Sequence, residues 1–595
     1  MVLDEPNSIG IAWTLPTSWL TERRSAGARH LSPPVRWVMF VHAMPDLDDS
    51  SSEPTNEASG PTQPEPPAPA VDTERSLTTR RQFLGLAGAA GFSLLISGTL
   101  GCSPEEGAAG GTAATTSTIR PPEPSTTTST SYPEYFETTQ PPSSSTTVQP
   151  PPSTEKYPAT ETPSATIVAD VCVVGGGAAG MCAATVAARM GARTVLMEES
   201  SVLGGNVTRG LVSFDRVAWG GERMVGGWFA ELISRLEEQG DALFPTWDTR
   251  YVTPCDADAL RATALALAEE AGVDIRLCSE VTGAELVNGR IASVWTHEQG
   301  SWAKVFANVF IDCTGDGNLG HMAGCDSWQG DADQGFIQGQ TLIFCVSPVD
   351  FDRVAEYART ENSQVETYRI VGLRDFMRTL RKDGEVEGSP QEGLLIDRNM
   401  WPNMVSISGS ETYGDHLKPG GLTEIVAQLQ RQNSQIHRGL RERVPGFEGS
   451  RIVRVADRPY LREGRRIAGL YQLSATDIQE ALKPKDSVAR GYYPIDLHRN
   501  GNVGIVQSVY LHPGDWYGIP YRCLVAKDVD NLLMAGRCIS VSHEALGSTR
   551  ISPVSMALGQ AAGIAAALCV SGVTRPAQVD LDELIAELQQ QGALT

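Results

Sequence analysis

Apolar positions along this chain fall into short runs separated by glycine turns, most clearly over Asp170–Glu198, DVCVVGGGAAGMCAATVAARMGARTVLMEE. The unbroken run Val171–Val174 predicts a strand buried on both faces. Small and apolar residues from Ala178 to Met190 predict a helix, and Arg193–Met197 predicts a second strand ending at the acid Glu198. Further strands are expected at Asp274–Cys278, at Ala307–Cys313 before Thr314-Gly315-Asp316-Gly317, and at Asn531–Ala535 before Gly536-Arg537. The segment EVTGAELVNGRIASVWTHEQGSWAKVFANVFIDC alternates apolar and polar positions about turns, as an antiparallel sheet does, with a hairpin at Asn288-Gly289. Helices are expected at Asp256–Ala271, Gly421–Leu440 and Pro553–Val570, the last with Ser552 as N-cap and proline in its first turn.

The turn after the first strand carries chemistry. Gly175, Gly177 and Gly180 stand in G-x-G-x-x-G spacing around Ala179. The first permits a tight turn, the second lets the backbone approach a pyrophosphate, and the third allows close packing of helix on strand. The helix start offers free N–H groups and a positive dipole end to phosphate. Glu198, about 20 residues on, accepts ribose hydroxyls and disfavours a 2′-phosphate. The unit reads as a dinucleotide site. A second glycine turn, Leu203-Gly204-Gly205-Asn206, together with Gly315-Asp316 and Gly536-Arg537, fits FAD better than a nicotinamide cofactor.

Four segments carry a family resemblance: IDCTGDG at the Asp312 strand end, LREGRRIAGLYQLSATDI (Leu461–Ile478), YYPIDLH (Tyr492–His498), and IPYRCL followed by LLMAGRCISVSHEALGSTRISPVSMALGQAAG (Ile519–Gly563). In these the chain resembles the bacterial FAD-dependent oxidoreductases with a glutathione-reductase-like nucleotide domain, over about Ile167–Val573. The resemblance implies an α/β fold: a Rossmann-like FAD-binding domain with a parallel sheet, interrupted by an antiparallel cap that contacts substrate. It places Gly536-Arg537 beside the ribityl-pyrophosphate and the start of the Pro553 helix, which also carries Gly559, at the flavin. It does not specify a substrate.

Acid/base candidates are His543, in a Ser/Gly-rich loop between strand and helix, and His498 at the end of YYPIDLH, since imidazole titrates near neutrality. Arg462 and Arg550 suit a carboxylate, an oxyanion or a reduced flavin. Arg522 stands near the flavin segments, and Arg465 and Arg466 either join the site or pair with Glu463 or Asp477 to hold the cap. Tyr471, Tyr492 and Tyr521 line a pocket or belong to the core.

Composition changes the picture at the N-terminus. Of 595 residues, the first 165 lack the pattern of a packed core. Residues 1–75 read as a disordered extension, with Met44 an alternative start. In residues 76–102, Thr79-Arg80-Arg81-Gln82-Phe83-Leu84 before the apolar run Gly85–Gly101 has the order of a twin-arginine signal, which addresses a protein to the Tat export machinery. Cys102 just beyond it is a candidate lipid-anchor site. Residues 103–165, rich in Thr, Ser and Pro, read as an extended stalk. Expected boundaries in the remainder are 166–330 for the first part of the FAD domain, 331–499 for the cap and 500–595 for the second part.

A net charge of −23, from 71 acidic and 48 basic residues, argues against nucleic acid as a partner. The eleven cysteines form no C-x-x-C pair and the nine histidines no ligand cluster, so no metal is expected. The sequence thus points to an exported FAD-dependent oxidoreductase acting on a small organic molecule with an unidentified electron donor or acceptor. Its rivals are a flavin-containing lyase or hydrolase acting on a polysaccharide, and a non-enzymatic cell-surface flavoprotein.

Overall fold

Five short strands form a parallel sheet: β1 (Val171–Val174), β2 (Thr194–Met197), β3 (Asp274–Arg276), β4 (Val309–Asp312) and β5 (Leu532–Met534). They belong to a computed structural model that describes residues 162–243, 252–388, 390–498 and 511–595. The N-terminal extension, the twin-arginine segment, Cys102 and nearly all of the stalk lie outside the described residues. The spatial strand order is 3-2-1-4-5, with every adjacent pair parallel. The chain therefore leaves β1 towards one side through β2 and β3, and returns to fill the other side with β4 and β5. At such a reversal the connections diverge and a crevice opens beyond the carboxyl ends of β1 and β4. Burial on both faces explains the unbroken apolar runs of β1, β2 and β5.

Two helices lie against this sheet and against each other: α1 (Ala178–Arg189) and α3 (Ser552–Gly572), the latter preceded by the short α2 (His543–Thr549). Their backbones nearly touch, since a Cβ at Gly559 would lie 2.1 Å from the Ala179 carbonyl oxygen. The start of α3 differs from expectation. Ile551, not Ser552, occupies the N-cap position in an extended conformation, no side chain caps the helix, and Ser552 is its first residue. Ser552 thereby belongs to the first turn of the helix and lines a cavity.

Between β3 and β4 runs an antiparallel meander of Glu280–Val287, Arg290–Glu298 and Ser301–Phe306. Asn288 (φ 52°) and Gly289 (φ 75°) form its two-residue hairpin turn, both left-handed as such turns require. Asn531 ties the meander to β5: its amide donates to the Ile291 and Asn308 carbonyls and accepts from Ile291 N–H, at 2.9, 3.1 and 2.9 Å.

A separate six-stranded antiparallel sheet runs in the order Gln364–Val365, Arg369–Gly372, Leu394–Arg398, Val405–Ser408, Phe344–Ser347, Arg451–Val455. Inward residues of these strands, Ile370, Ile396 and Ile407, form their own apolar core with Phe376, Met377 and Leu380 of the helix Arg374–Lys382 and with Ile436 and Leu440 of the helix Gly421–Arg443. The latter helix runs three residues beyond the expected Leu440.

Candidate active site

A cavity of about 1250 Å³ occupies the crevice beyond β1 and β4. The local sequence shapes it. Gly175 turns at φ 97°, and a Cβ at Gly180 would stand 1.7 Å from the Gly175 carbonyl, so α1 starts flush against the turn only with glycine there. Gly180 itself is not on the cavity wall; Gly175, Gly177 and Ala179 are. Gly177 caps α1 without a side chain, which leaves the first helical N–H groups open to the cavity. Gly204 donates its N–H to the Gly176 carbonyl at 2.8 Å, bringing the second glycine turn alongside the first, and Gly205 and Asn206 join the wall.

Glu198 lines the same cavity, with one carboxylate oxygen 2.6 Å from Gly176 N–H and the other 2.8 Å from Ser200 N–H. On the opposite wall, Asp312 accepts from Thr314 N–H (3.0 Å) and Gly320 N–H (2.9 Å), which fixes the turn presenting Gly315. Gly536 and Arg537 complete that wall, Arg537 donating to the Gly315 carbonyl at 2.9 Å.

Asp316, expected to touch the cofactor, stands behind the wall. It accepts from Arg537 at 2.6 Å and meets His416 Nε2 at 3.1 Å and Arg458 at 3.4 Å. Burial pushes its carboxyl up, but Arg537, His416 and Arg458 outweigh this and hold it well below the usual carboxylate range. Gly559 is likewise off the wall, serving the contact with α1.

The donor set suits FAD. Two uncapped helix starts, α1 and α3, open on one cavity that also holds an acid at the end of β2 and the guanidiniums of Arg209, Arg458 and Arg537. N–H groups and dipoles of that kind accept a pyrophosphate and a negatively charged ring edge, and Glu198 is placed for ribose hydroxyls.

A second cavity, of about 1590 Å³, lies between the cap sheet and the flavin domain. Leu211, Val371, Leu394 and Ile551 give it apolar walls. It shares three residues with the first cavity: Tyr460, Arg462 and Arg550. Arg550 donates to the Tyr460 hydroxyl and, at 2.9 Å, to Asp496. Burial disfavours its cation, yet the Tyr460 oxygen and Asp496 prevail and raise the guanidinium above its ordinary value. Arg462 donates to the Gly339 carbonyl at 2.6 Å and to Thr341 Oγ1 at 2.9 Å.

His498 lies on the second cavity's wall between two carboxylates, Nδ1 2.7 Å from Glu411 and Nε2 3.5 Å from Asp496. Burial raises both acids, but His498 together with Arg550 and Arg462 holds Asp496 well down, and His498 with Arg462 holds Glu411 down.

His543 is placed differently from the sequence reading. It opens α2 instead of sitting in a loop, because Ser542 caps that helix by accepting from Ala545 N–H. The ring is 3 % exposed, lines neither cavity, and sets Nδ1 3.0 Å from Glu463. Glu463 also pairs with Arg466 and accepts from Gly330 and Gln338 N–H, so the histidine belongs to a buried brace. Arg465 turns to Asn318, Arg522 to Asp486, and Asp477 boxes the cap of its own helix with Ser474. Tyr492 and Tyr521 are core residues, and Tyr471 donates to Asp477 away from both cavities. Tyr460 went unnoticed in the sequence, although it lies two residues before Arg462.

Among solved structures, the chain is similar to a geranylgeranyl bacteriochlorophyll reductase-like protein from Thermoplasma acidophilum (14 % identity, 72 % of this chain and 84 % of that one, TM-score 0.36). It is also similar to a myxobacterial chondrochloren halogenase (11 %, 71 % and 79 %, 0.37) and to an anhydrotetracycline hydroxylase from Streptomyces rimosus (12 %, 71 % and 66 %, 0.36). No individually curated protein matches. Residues 170–591 match the family model described as FAD dependent oxidoreductase. That match takes in both cavities and the whole parallel sheet, and the chain belongs to the FAD-dependent oxidoreductases.

Proposed function

We propose that this chain is an exported flavoenzyme of the glutathione-reductase-like class that moves a hydride between FAD and a small organic substrate held in the second cavity. The observation carrying the reading is the shared wall: Tyr460, Arg462 and Arg550 face both the dinucleotide cavity and the cap cavity. The 3-2-1-4-5 strand order and the meander between β3 and β4 support the class. The twin-arginine order at Arg80-Arg81 supports export through the Tat route, which carries folded cargo, with Cys102 available as a lipid anchor and residues 103–165 as the stalk.

Bound FAD supplies the two-electron chemistry at its ring. The chain's own residues do the remainder. The apolar wall of Leu211, Val371, Leu394 and Ile551 excludes water from the reacting carbon, and a dry site strengthens every charge interaction inside it. Arg550, held charged by Asp496, keeps the Tyr460 ring in place at the boundary. The uncapped start of α3 offers its dipole to negative charge on the ring system. Anaerobic mixing of the purified yellow protein with candidate donors, and of the pre-reduced protein with candidate acceptors, tests the reading. Substrate-dependent loss or return of flavin absorbance supports it. A protein whose flavin cannot be reduced, or that purifies without flavin, refutes it.

A further inference from the structure

We infer that the junction of the two cavities is a carboxylate site, in which the Tyr460 hydroxyl and the free edge of Arg462 hold an acid group of the substrate. The inference rests on the proposed location of the substrate in the second cavity.

Hydrogen-bond accounting at the junction leaves several donors without acceptors among the described residues, the Tyr460 hydroxyl and one edge of Arg462 among them. The Tyr460 oxygen accepts from Arg550. A guanidinium cannot accept, so the phenolic hydrogen remains unused, and among the described residues it has no acceptor. Arg462 spends Nη1 on the Gly339 carbonyl and Thr341 Oγ1, and its Nε is buried without a partner. Among the described residues its Nη2 has no acceptor, and it is not among the fully enclosed atoms, although the residue is only 4 % exposed. Arg462 lines both cavities at their junction. The Arg462 guanidinium also lies 5.1 Å from the centre of the Tyr460 ring, so the two donors are neighbours. Both donors are therefore open to a ligand oxygen, and a hydrogen bond to a charged group is worth more than one to a neutral group.

Charge selects an anion over a neutral carbonyl. Arg550 is neutralised by Asp496 at 2.9 Å. Arg462 is matched less closely. Its nearest carboxylate, Glu411, is 3.7 Å away and already engaged by His498 at 2.7 Å, while its hydrogen bonds go to neutral oxygens. The junction therefore holds a cation whose donor edge is not taken up by a carboxylate. Elsewhere on the second cavity's wall, Arg369 is matched by Asp397, and Arg374 is exposed to solvent, which screens its charge, so selection falls to the junction. A paired hydroxyl and guanidinium match the two oxygens of one carboxylate.

The test titrates the FAD-loaded protein with benzoate and, separately, benzamide, following binding by calorimetry and the flavin spectrum together. Benzoate should bind saturably and benzamide at least tenfold more weakly. Tyr460→Phe keeps the ring and its stacking near both guanidiniums but removes the hydroxyl, and with it both the free donor and the acceptor used by Arg550. It should weaken benzoate by about 10–100-fold, the worth of one hydrogen bond to a charged group, with FAD content unchanged. Equal affinity for acid and amide, no benzoate binding, or an unchanged benzoate affinity in Tyr460→Phe overturns the inference. A Tyr460→Phe variant that loses FAD while the apo and holo wild-type proteins bind benzoate alike would show that these donors serve the cofactor instead, and also overturns it. None of these results bears on whether the flavin is reducible, so failure here is separable from failure of the hydride-transfer reading.

Discussion

Replacing Asp316 with Asn probes how the cofactor cavity is held in shape. The carboxylate is nearly fully buried and is the common partner of Arg537, His416 and Arg458. Breaking a buried ion pair from one side costs about 3–5 kcal/mol, because the remaining charge stays buried and unmatched. Arg537, with 11 % of its side chain exposed, should account for most of that, whereas Arg458, at 26 %, is better screened and adds little. With an unfolding entropy of about 2.1 cal/mol/K per residue, such a loss lowers the melting temperature by roughly 3–6 °C. The pH dependence follows from the direction of the shift. A carboxylate held low binds its proton less readily folded than unfolded, so its contribution is complete above the ordinary value of 3.8 and fades as pH falls below it towards the depressed value. Thermal melts followed by tryptophan and flavin fluorescence should show a constant gap between wild type and Asp316→Asn over about pH 5–7, closing below about pH 4. A neutral-pH loss under about 1 kcal/mol, or a gap that widens in acid, would refute the assignment of Asp316 as the buried anion behind the wall.

Glu198→Gln removes the negative charge at the end of β2 and one of its acceptor atoms, and should weaken FAD by roughly 10–100-fold, read from equilibrium release of flavin on dilution; unaltered affinity would argue against its ribose role. His543→Asn should lower stability to urea by about 1–3 kcal/mol through the lost contact with Glu463, leaving turnover per bound FAD near wild type. A large drop in that turnover would restore the histidine to the chemistry. Changing Arg80 and Arg81 together to Lys should leave FAD-loaded precursor in the cytoplasm, detected by cell fractionation, and normal export of that variant would contradict the Tat proposal.

The parallel sheet was legible because its central strands are buried on both faces and β1, β4 and β5 each run into a glycine turn. Gly175, Gly177, Glu198, Gly205 and Arg537 reach the cavity from such turns, where sequence order dictates position. Asp316 and Gly559 lie in the same motifs but serve the wall from behind, a distinction of one residue or one helix face that spacing does not encode. His543 was misplaced because the capping serine at 542 was read as loop composition. The substrate side was least legible. Tyr460, Glu411, Asp496 and Arg550 come from distant parts of the chain and meet only through packing of the cap on the flavin domain. No periodicity announces a tyrosine that matters through its unused hydrogen.

The central claim is that substrate reaches the flavin through the second cavity. The most direct measurement is the rate at which an organic hydride donor bleaches the flavin anaerobically in wild type and in Val371→Trp, with dithionite as a donor that needs no binding site. Val371 lines the second cavity and not the first, so tryptophan there fills substrate space and spares the cofactor. The account predicts equal FAD content, equal reduction by dithionite, and loss of reduction by the organic donor in the variant. Bleaching by that donor at the same rate in both proteins would contradict it.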